Sequence, residues 1–293
     1  MLLFCNFGAF VHKIVNKRVL VECEKNKKFL SVFKKKRMLE NFVMNAAEPD
    51  KRKKKDLGER YKHFFHVNSY EPGEFSRYIS REDLKKKILD GKKSGKYKDV
   101  GDVDGYIKRH GDLPWVIIDK IALLKSLMAD RGVVESDIDR DDMDNRILLE
   151  CINLAHYITD FCTPLHLNEN YDGSDDYRYG SQTGIHRMWE DGIPRLFFKT
   201  YKIAPVELVI YDLEGYIFSK MVEIYKKSED ILKKDLDIFD IYKSSNKTIY
   251  YDLRFKDKNY IKLSAKYYNA YINEQINLAI SLISYIFNKH IFV

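Results

Sequence analysis

The chain has 293 residues, 45% of them apolar, with only 14 glycines and 6 prolines. That content is ample for a sizeable core and excludes a disordered, fibrous or linker-rich polypeptide. A net charge of +7 excludes a strongly acidic protein and suits an anionic partner such as nucleic acid or a phospholipid headgroup, although a merely lysine-rich solvated surface reads the same way.

In chain order, the opening MLLFCNFGAFV is apolar but lacks a basic n-region and an adequate small-residue cleavage site. Residues 1–6 therefore read as a clipped leader remnant or as the first core segment, and 7–293 as a single domain. Apolar residues at helical spacing predict a helix from about Phe10 to Asn45, followed by a loop over Glu48–Tyr61. The stretch Asn68–Ile79 gives no clear signal, and Asp90–Asp112 reads as loop. Helices are next expected from Pro114 to Gly132 and from Asp141 to Cys162, the second opening on acidic residues and stopped by Pro164. Asn168–Gly184 reads as loop. Two last helices are expected over about Pro205–Leu236 and Asn259–Lys289, with one strand-like segment, IYYDLRF, from Ile249. There is no internal repeat and no run of 18 apolar residues, so no transmembrane anchor is expected. The expected fold class is all-α, a single-domain multi-helix bundle.

Several candidate sites fall away on spacing. The cysteines at 5, 23, 151 and 162 form no CxxC pair, and Cys151 and Cys162 on one helix would lie ~16 Å apart, too far for a disulfide. The DVDG at Asp102–Gly105 lacks the acids a calcium loop requires, and DIDRDDMD at Asp137–Asp144 has Asp142 where glycine is needed. The basic run Lys51–Lys55 reads as a solvated face.

One stretch does concentrate ligand chemistry. His156 stands four residues before Asp160, His186 four before Glu190, and His166 lies between the pairs. On a helix that spacing stacks imidazole and carboxylate on one face. Either pair alone reads as a surface ion pair. Together with His166, just past a helix-breaking Thr-Pro, they suit a catalytic divalent metal, with no thiolate to suggest a closed structural site.

The string HYITDFCTPLH…GIHRMWE resembles the central motif of the superfamily of zinc-dependent phospholipases C and single-strand-specific nucleases. NFGAFVHKIVNKRV (Asn6–Val19), NAAEPDKRKKKDLGERYKHFFHVNSYE (Asn45–Glu71) and GDLPW (Gly111–Trp115) resemble further family segments, in order, over roughly residues 7 to 200. The resemblance implies a trinuclear zinc cleft. Asp50, His63, His156 and Asp160 would hold the first Zn2+; His166, His186 and Glu190 the second. Asp160 would bridge to a third, bound also by His12 and by backbone atoms of Phe7 once it is the N-terminus. The family usually has tryptophan at that terminus, and nuclease relatives often have Asp where His66 stands.

The resemblance also implies hydrolysis of a phosphodiester through a metal-bound hydroxide that Asp160 orients, and secretion or export to a periplasm. The expected substrate is single-stranded nucleic acid; the alternative is a phospholipid headgroup, and Glu190 is the carboxylate seen in phospholipase relatives. A reading of another class is a non-catalytic basic protein that keeps metal only for folding. Candidate substrate contacts are Lys53, Phe64, His66, Asn168 and Asn170, with Trp189 buttressing the second site.

Overall fold

The computed structural model describes residues 9–176, 180–245 and 251–293. Thirteen α-helices follow one another among them: α1 Ala9–Glu22, α2 Lys27–Val32, α3 Lys36–Met44, α4 Glu48–Arg52, α5 Leu57–Arg60, α6 Arg81–Lys93, α7 Val103–Arg109, α8 Leu113–Val133, α9 Asp137–Phe161, α10 Ile185–Arg187, α11 Ile193–Phe197, α12 Leu213–Ser245 and α13 Lys258–Ile286. Short 3-10 and π turns link several of them. The fold is all-α and multi-helix; its only described ladder is a two-residue pairing of Asp175–Asp176 with Gly180–Ser181.

Helix α9 is the axis of the molecule. Ser136 caps it by accepting from the Asp139 amide, and every residue from Cys151 to Phe161 is buried. A helix end buried on every side must be enclosed on every side, and α1, α3, α8 and α13 pack around this one. Helix α1 presents His12, Val15, Asn16 and Val19 inward, one stripe at helical spacing. It lies against α3, α9 and α13. On the far side of the site, Phe65 meets the Trp115 ring edge-on at 5.3 Å, and the Trp115 indole N–H donates to the Ile79 carbonyl at 2.7 Å.

Several expectations are corrected. The single helix over Phe10–Asn45 is three helices, because Asn26 turns the chain and caps α2 by accepting from the Phe29 amide at 3.0 Å. The loops over Glu48–Tyr61 and Asp90–Asp112 contain α4, α5 and α7. Helix α6, started by Ser80 accepting from the Asp83 amide, was not anticipated. The helix expected from Pro205 begins instead at Leu213. The preceding residues form a non-helical strap on α13, its Ala204 and Val206 amides donating to Asn277 Oδ1 and Ser281 Oγ at 2.9 and 2.8 Å. Of the expected strand IYYDLRF, Tyr251–Lys256 forms a 3-10 turn, and Ile249 and Tyr250 lie outside the described residues. Cys23, Cys151 and Cys162 are buried free thiols; Cys5 lies outside the described residues. No described helix is long and apolar enough to cross a membrane.

Candidate metal centre

Six chain segments deliver ligand-type side chains to one place. Helix α9 carries His156 and Asp160 on successive turns of its buried end. Pro164 then forces a change of direction, and the 3-10 turn Pro164–Leu167 presents His166. A second 3-10 turn, Tyr61–His63, presents His63 beside it. These two turns hold each other: the Phe65 amide donates to the His166 carbonyl at 2.9 Å, and His166 Nδ1 donates to the His63 carbonyl. Asp50 comes from α4 and His12 from α1.

His186 and Glu190 come from the segment through α10 and the π turn Met188–Gly192. Gly184 starts it at φ 106, a left-handed conformation that favours glycine. Asp172 Oδ1 accepts from the Gly184 and His186 amides at 2.9 and 3.3 Å. The π turn has a covalent cause. Pro194 has no N–H to return to the Glu190 carbonyl, and the wider Ile193 amide to Met188 carbonyl bond replaces the ordinary pattern.

The donor atoms converge. In the first group, Asp160 Oδ2 lies 2.8 Å from His63 Nδ1 and 3.2 Å from His156 Nε2, and those nitrogens are 3.1 Å apart. Asp50 Oδ1 is 3.8 and 3.7 Å from the same two nitrogens. In the second group, His166 Nε2 is 2.7 Å from Glu190 Oε1 and 3.0 Å from His186 Nε2, which is itself 3.0 Å from Glu190 Oε1. The other Asp160 oxygen, Oδ1, faces His12 Nε2 at 3.3 Å and His166 Nε2 at 3.9 Å. One carboxylate thus stands between the groups. A tetrahedral ion ~2.0–2.1 Å from each donor would space its donors by roughly 3.3–3.4 Å, and the observed separations straddle that value.

Backbone carbonyls set the ring tautomers. His156 Nδ1 donates to the Ala46 carbonyl at 2.9 Å, which leaves Nε2 with its lone pair toward the centre. The His166 bond to His63 does the same. Nitrogen lone pairs and carboxylates facing one another in a buried site call for a cation.

The electrostatics show the same demand for positive charge, which a proton on an imidazole or a metal ion can meet. Burial pushes the carboxyl of Asp160 up, but His156 and His166 outweigh it and hold the group well below the usual range. Glu190 is likewise held well below, its burial outweighed by His186 and His166. Asp50 is lowered in spite of burial by His156 and Lys53. Burial lowers His166, yet Asp160 and Glu190 lift it to about 9, and Asp160 and Asp50 lift His156 against its burial in the same way. His63 goes the other way, to about 4, because its burial prevails. The buried centre therefore keeps three ionised carboxylates, and the imidazoles and carboxylates grouped there could hold metal ions.

A cleft of about 370 Å³ opens over these groups, lined among others by His12, Asp50, His166, His186 and Glu190. Of the residues proposed to touch substrate, Lys53 lines it, its ammonium 2.6 Å from Asp50 Oδ1. Phe64 stacks on His66 at 4.6 Å, and both lie outside the cleft lining. Asn168 is buried, donating to Ser228 Oγ at 2.8 Å and accepting from the Asn170 amide at 2.9 Å, so the pair forms the turn after His166. Phe7 lies outside the described residues. Trp189 is buried beside Glu190 and meets the Tyr271 ring at 5.9 Å.

Sequence reasoning passed over Lys54, Tyr171 and Asp172, which also line the cleft, and Glu59, a buried carboxylate beneath His63. Glu59 was legible as a carboxylate four residues before a candidate ligand histidine, the same spacing that drew attention to His156 and His186. No family model matches the chain, and no curated protein and no solved structure matches it either.

Proposed function

We propose that the chain is a zinc-dependent phosphodiester hydrolase that cleaves single-stranded nucleic acid in the cleft over a trinuclear centre. The observation that carries this reading is the position of Asp160, whose two oxygens each face two imidazoles from different segments of the chain. A purely structural ion pair needs no such sharing, and a closed structural site would not lie at the floor of an open cleft.

The donor set fits zinc: imidazole nitrogens and carboxylate oxygens with no thiolate. Asp50, His63, His156 and Asp160 would hold one ion, His166, His186 and Glu190 a second, and His12 with Asp160 would contribute to a third. Bound zinc supplies charge neutralisation for a phosphodiester and acidifies water near neutral pH. The chain's own residues do the rest. Asp160 fixes the spacing of the two ligand groups and accepts a hydrogen bond from a water poised at the cleft floor. Lys53 and Lys54 give the cleft a positive wall that holds the phosphate in register. Tyr171, edge-on to His186 at 5.7 Å and 43% exposed, offers a ring face for an unpaired base.

The test has two stages. Purified protein should take up zinc and hydrolyse bis-(p-nitrophenyl) phosphate in a manner abolished by chelator and restored by zinc. Protein that binds no zinc and ignores its addition ends the reading. Parallel assays on single-stranded DNA or RNA and on phosphatidylcholine vesicles then decide the substrate; release of phosphocholine alone would replace nucleic acid with phospholipid.

A further inference from the structure

We propose that Glu59 is a positioning residue that accepts the hydrogen bond of His63 Nε2–H and thereby fixes His63 with its Nδ1 lone pair toward the metal centre. This rests on the reading of His63 as a metal ligand. His63 is 2% exposed on its side chain, and its two ring nitrogens face different neighbours. Nδ1 faces Asp160, His156 and Asp50 at 2.8, 3.1 and 3.8 Å. Nε2, on the opposite edge, is buried with no hydrogen-bond partner. Its carboxylate neighbour is Glu59 Oε1 at 3.8 Å.

A ligand imidazole needs its non-coordinating nitrogen protonated and held, and His63 differs here from His156 and His166, each of which has a backbone carbonyl for that purpose. Glu59 stands in the matching position for His63, as the side chain one helical turn before it. A ring shift of about 0.9 Å brings Nε2 to hydrogen-bond distance of Oε1, and contacts of this kind tighten when a site is filled.

The carboxylate is itself held in place. Its Oε1 accepts from the Tyr157 hydroxyl at 2.6 Å and from Arg52 Nη2 at 3.0 Å, and Oε2 accepts from Lys62 Nζ at 2.9 Å. Arg52 is pinned in turn by Asn153 Oδ1 at 2.8 Å. Tyr157 follows ligand His156 directly and sets its ring edge-on to His63 at 5.6 Å. The side chains of Arg52 and Lys62 are 35% and 36% exposed while that of Glu59 is 4%. Two half-exposed cations could pair with a surface carboxylate. Burying that carboxylate under His63 gains a reason if it serves the ring.

The experiment measures zinc affinity and the number of bound ions for the full chain, by competition with a chromophoric chelator, in wild type, Glu59→Gln and Glu59→Ala. Glu59→Gln keeps an acceptor but loses the charge, and should weaken one ion by about 10-fold; Glu59→Ala should weaken the same ion by about 100-fold, the other ions staying bound. Variants that melt earlier but load every ion with wild-type affinity overturn the proposal and leave a structural role only. Wild-type protein that loads no zinc overturns the metal-site reading and this inference together, which separates the two failures. Should neither variant fold, nitrogen-15 NMR of the zinc-loaded wild type decides. A strongly hydrogen-bonded proton on His63 Nε2 supports the assignment; a proton on Nδ1, or an exposed fast-exchanging Nε2 proton, overturns it.

Discussion

Asp160 serves four imidazoles with one carboxylate, and that sharing makes it sensitive to the mildest change. Asp160→Asn keeps the volume and loses the charge, so zinc content should fall and hydrolysis drop by more than about 100-fold; a variant that loads and turns over normally would remove the bridging role. His66 offers a test at a residue outside the proposed ligand set. Burial, with His110 and His166 nearby, pushes it from 6.5 down to about 3. Its ring is packed on Phe64 and beside His110, which bonds Ser69 Oγ at 2.7 Å. An unfolded chain takes up this proton below about pH 6.5, where the folded chain still refuses it. The stability from neutral His66 is thus fully present above pH 6.5 and is lost as pH falls toward 3. Compared by urea unfolding, His66→Phe should lose less stability than wild type between pH 6.5 and 4, and parallel pH profiles would contradict this.

The segment that carries His186 and Glu190 shows how one element is set by its ends. A Cβ on Gly184 would stand 2.7 Å from Phe255 Cδ2 while φ stays at 106, so Gly184→Ala should destabilise by about 1–3 kcal/mol and displace the second ligand group. Thermal melts with zinc counted before and after would show a lower Tm and one ion fewer, and an unchanged melt would mean the turn relaxes freely. The same segment marks what could be read beforehand. His156–Asp160 and His186–Glu190 were visible because helical periodicity alone puts residues four apart on one face. That Asp50, His63 and His12 join them is a tertiary fact, suggested only by the resemblance of their segments to a family pattern. Helix α6 escaped notice because its stripe is thin: only Leu84 and Ile88 are buried among lysines and acids. The strap before α12 misled because Val206, Leu208, Val209 and Ile210 look helical in spacing. Asn277, Ser281 and Tyr285 of α13 in fact capture its backbone polar groups. No local signal foretells a partner some 75 residues away.

At the scale of the whole molecule, two kinds of buried charge hold distant parts together. Asp235 and Arg254, both wholly buried, pair at 2.7 Å. Asp235 also accepts from Gln182 Nε2 at 3.0 Å and from the Tyr260 hydroxyl at 2.6 Å, tying the loop before His186 to α12 and α13. Arg254→Leu would remove a cation paired with buried Asp235 and should cost about 3–5 kcal/mol in a denaturant titration; a smaller loss would indicate that water reaches the site. The metal centre should act as a second clamp. At a free zinc concentration about 1,000 times Kd, occupancy of one site adds about 4 kcal/mol, and chelation should lower Tm by roughly 7 °C or more. A melt indifferent to chelator would show that the imidazole cluster needs no ion to stand. Finally, the chain order has a temporal consequence. Every proposed ligand among the described residues, from His12 to Glu190, precedes α13, yet α1, which carries His12, leans on that last long helix. At roughly 5–20 residues per second, the ribosome needs about 5–20 s after Glu190 to complete α13. During that interval these side chains are already made while α1 still lacks the helix it leans on, so the proposed centre should gather only once α13 is made.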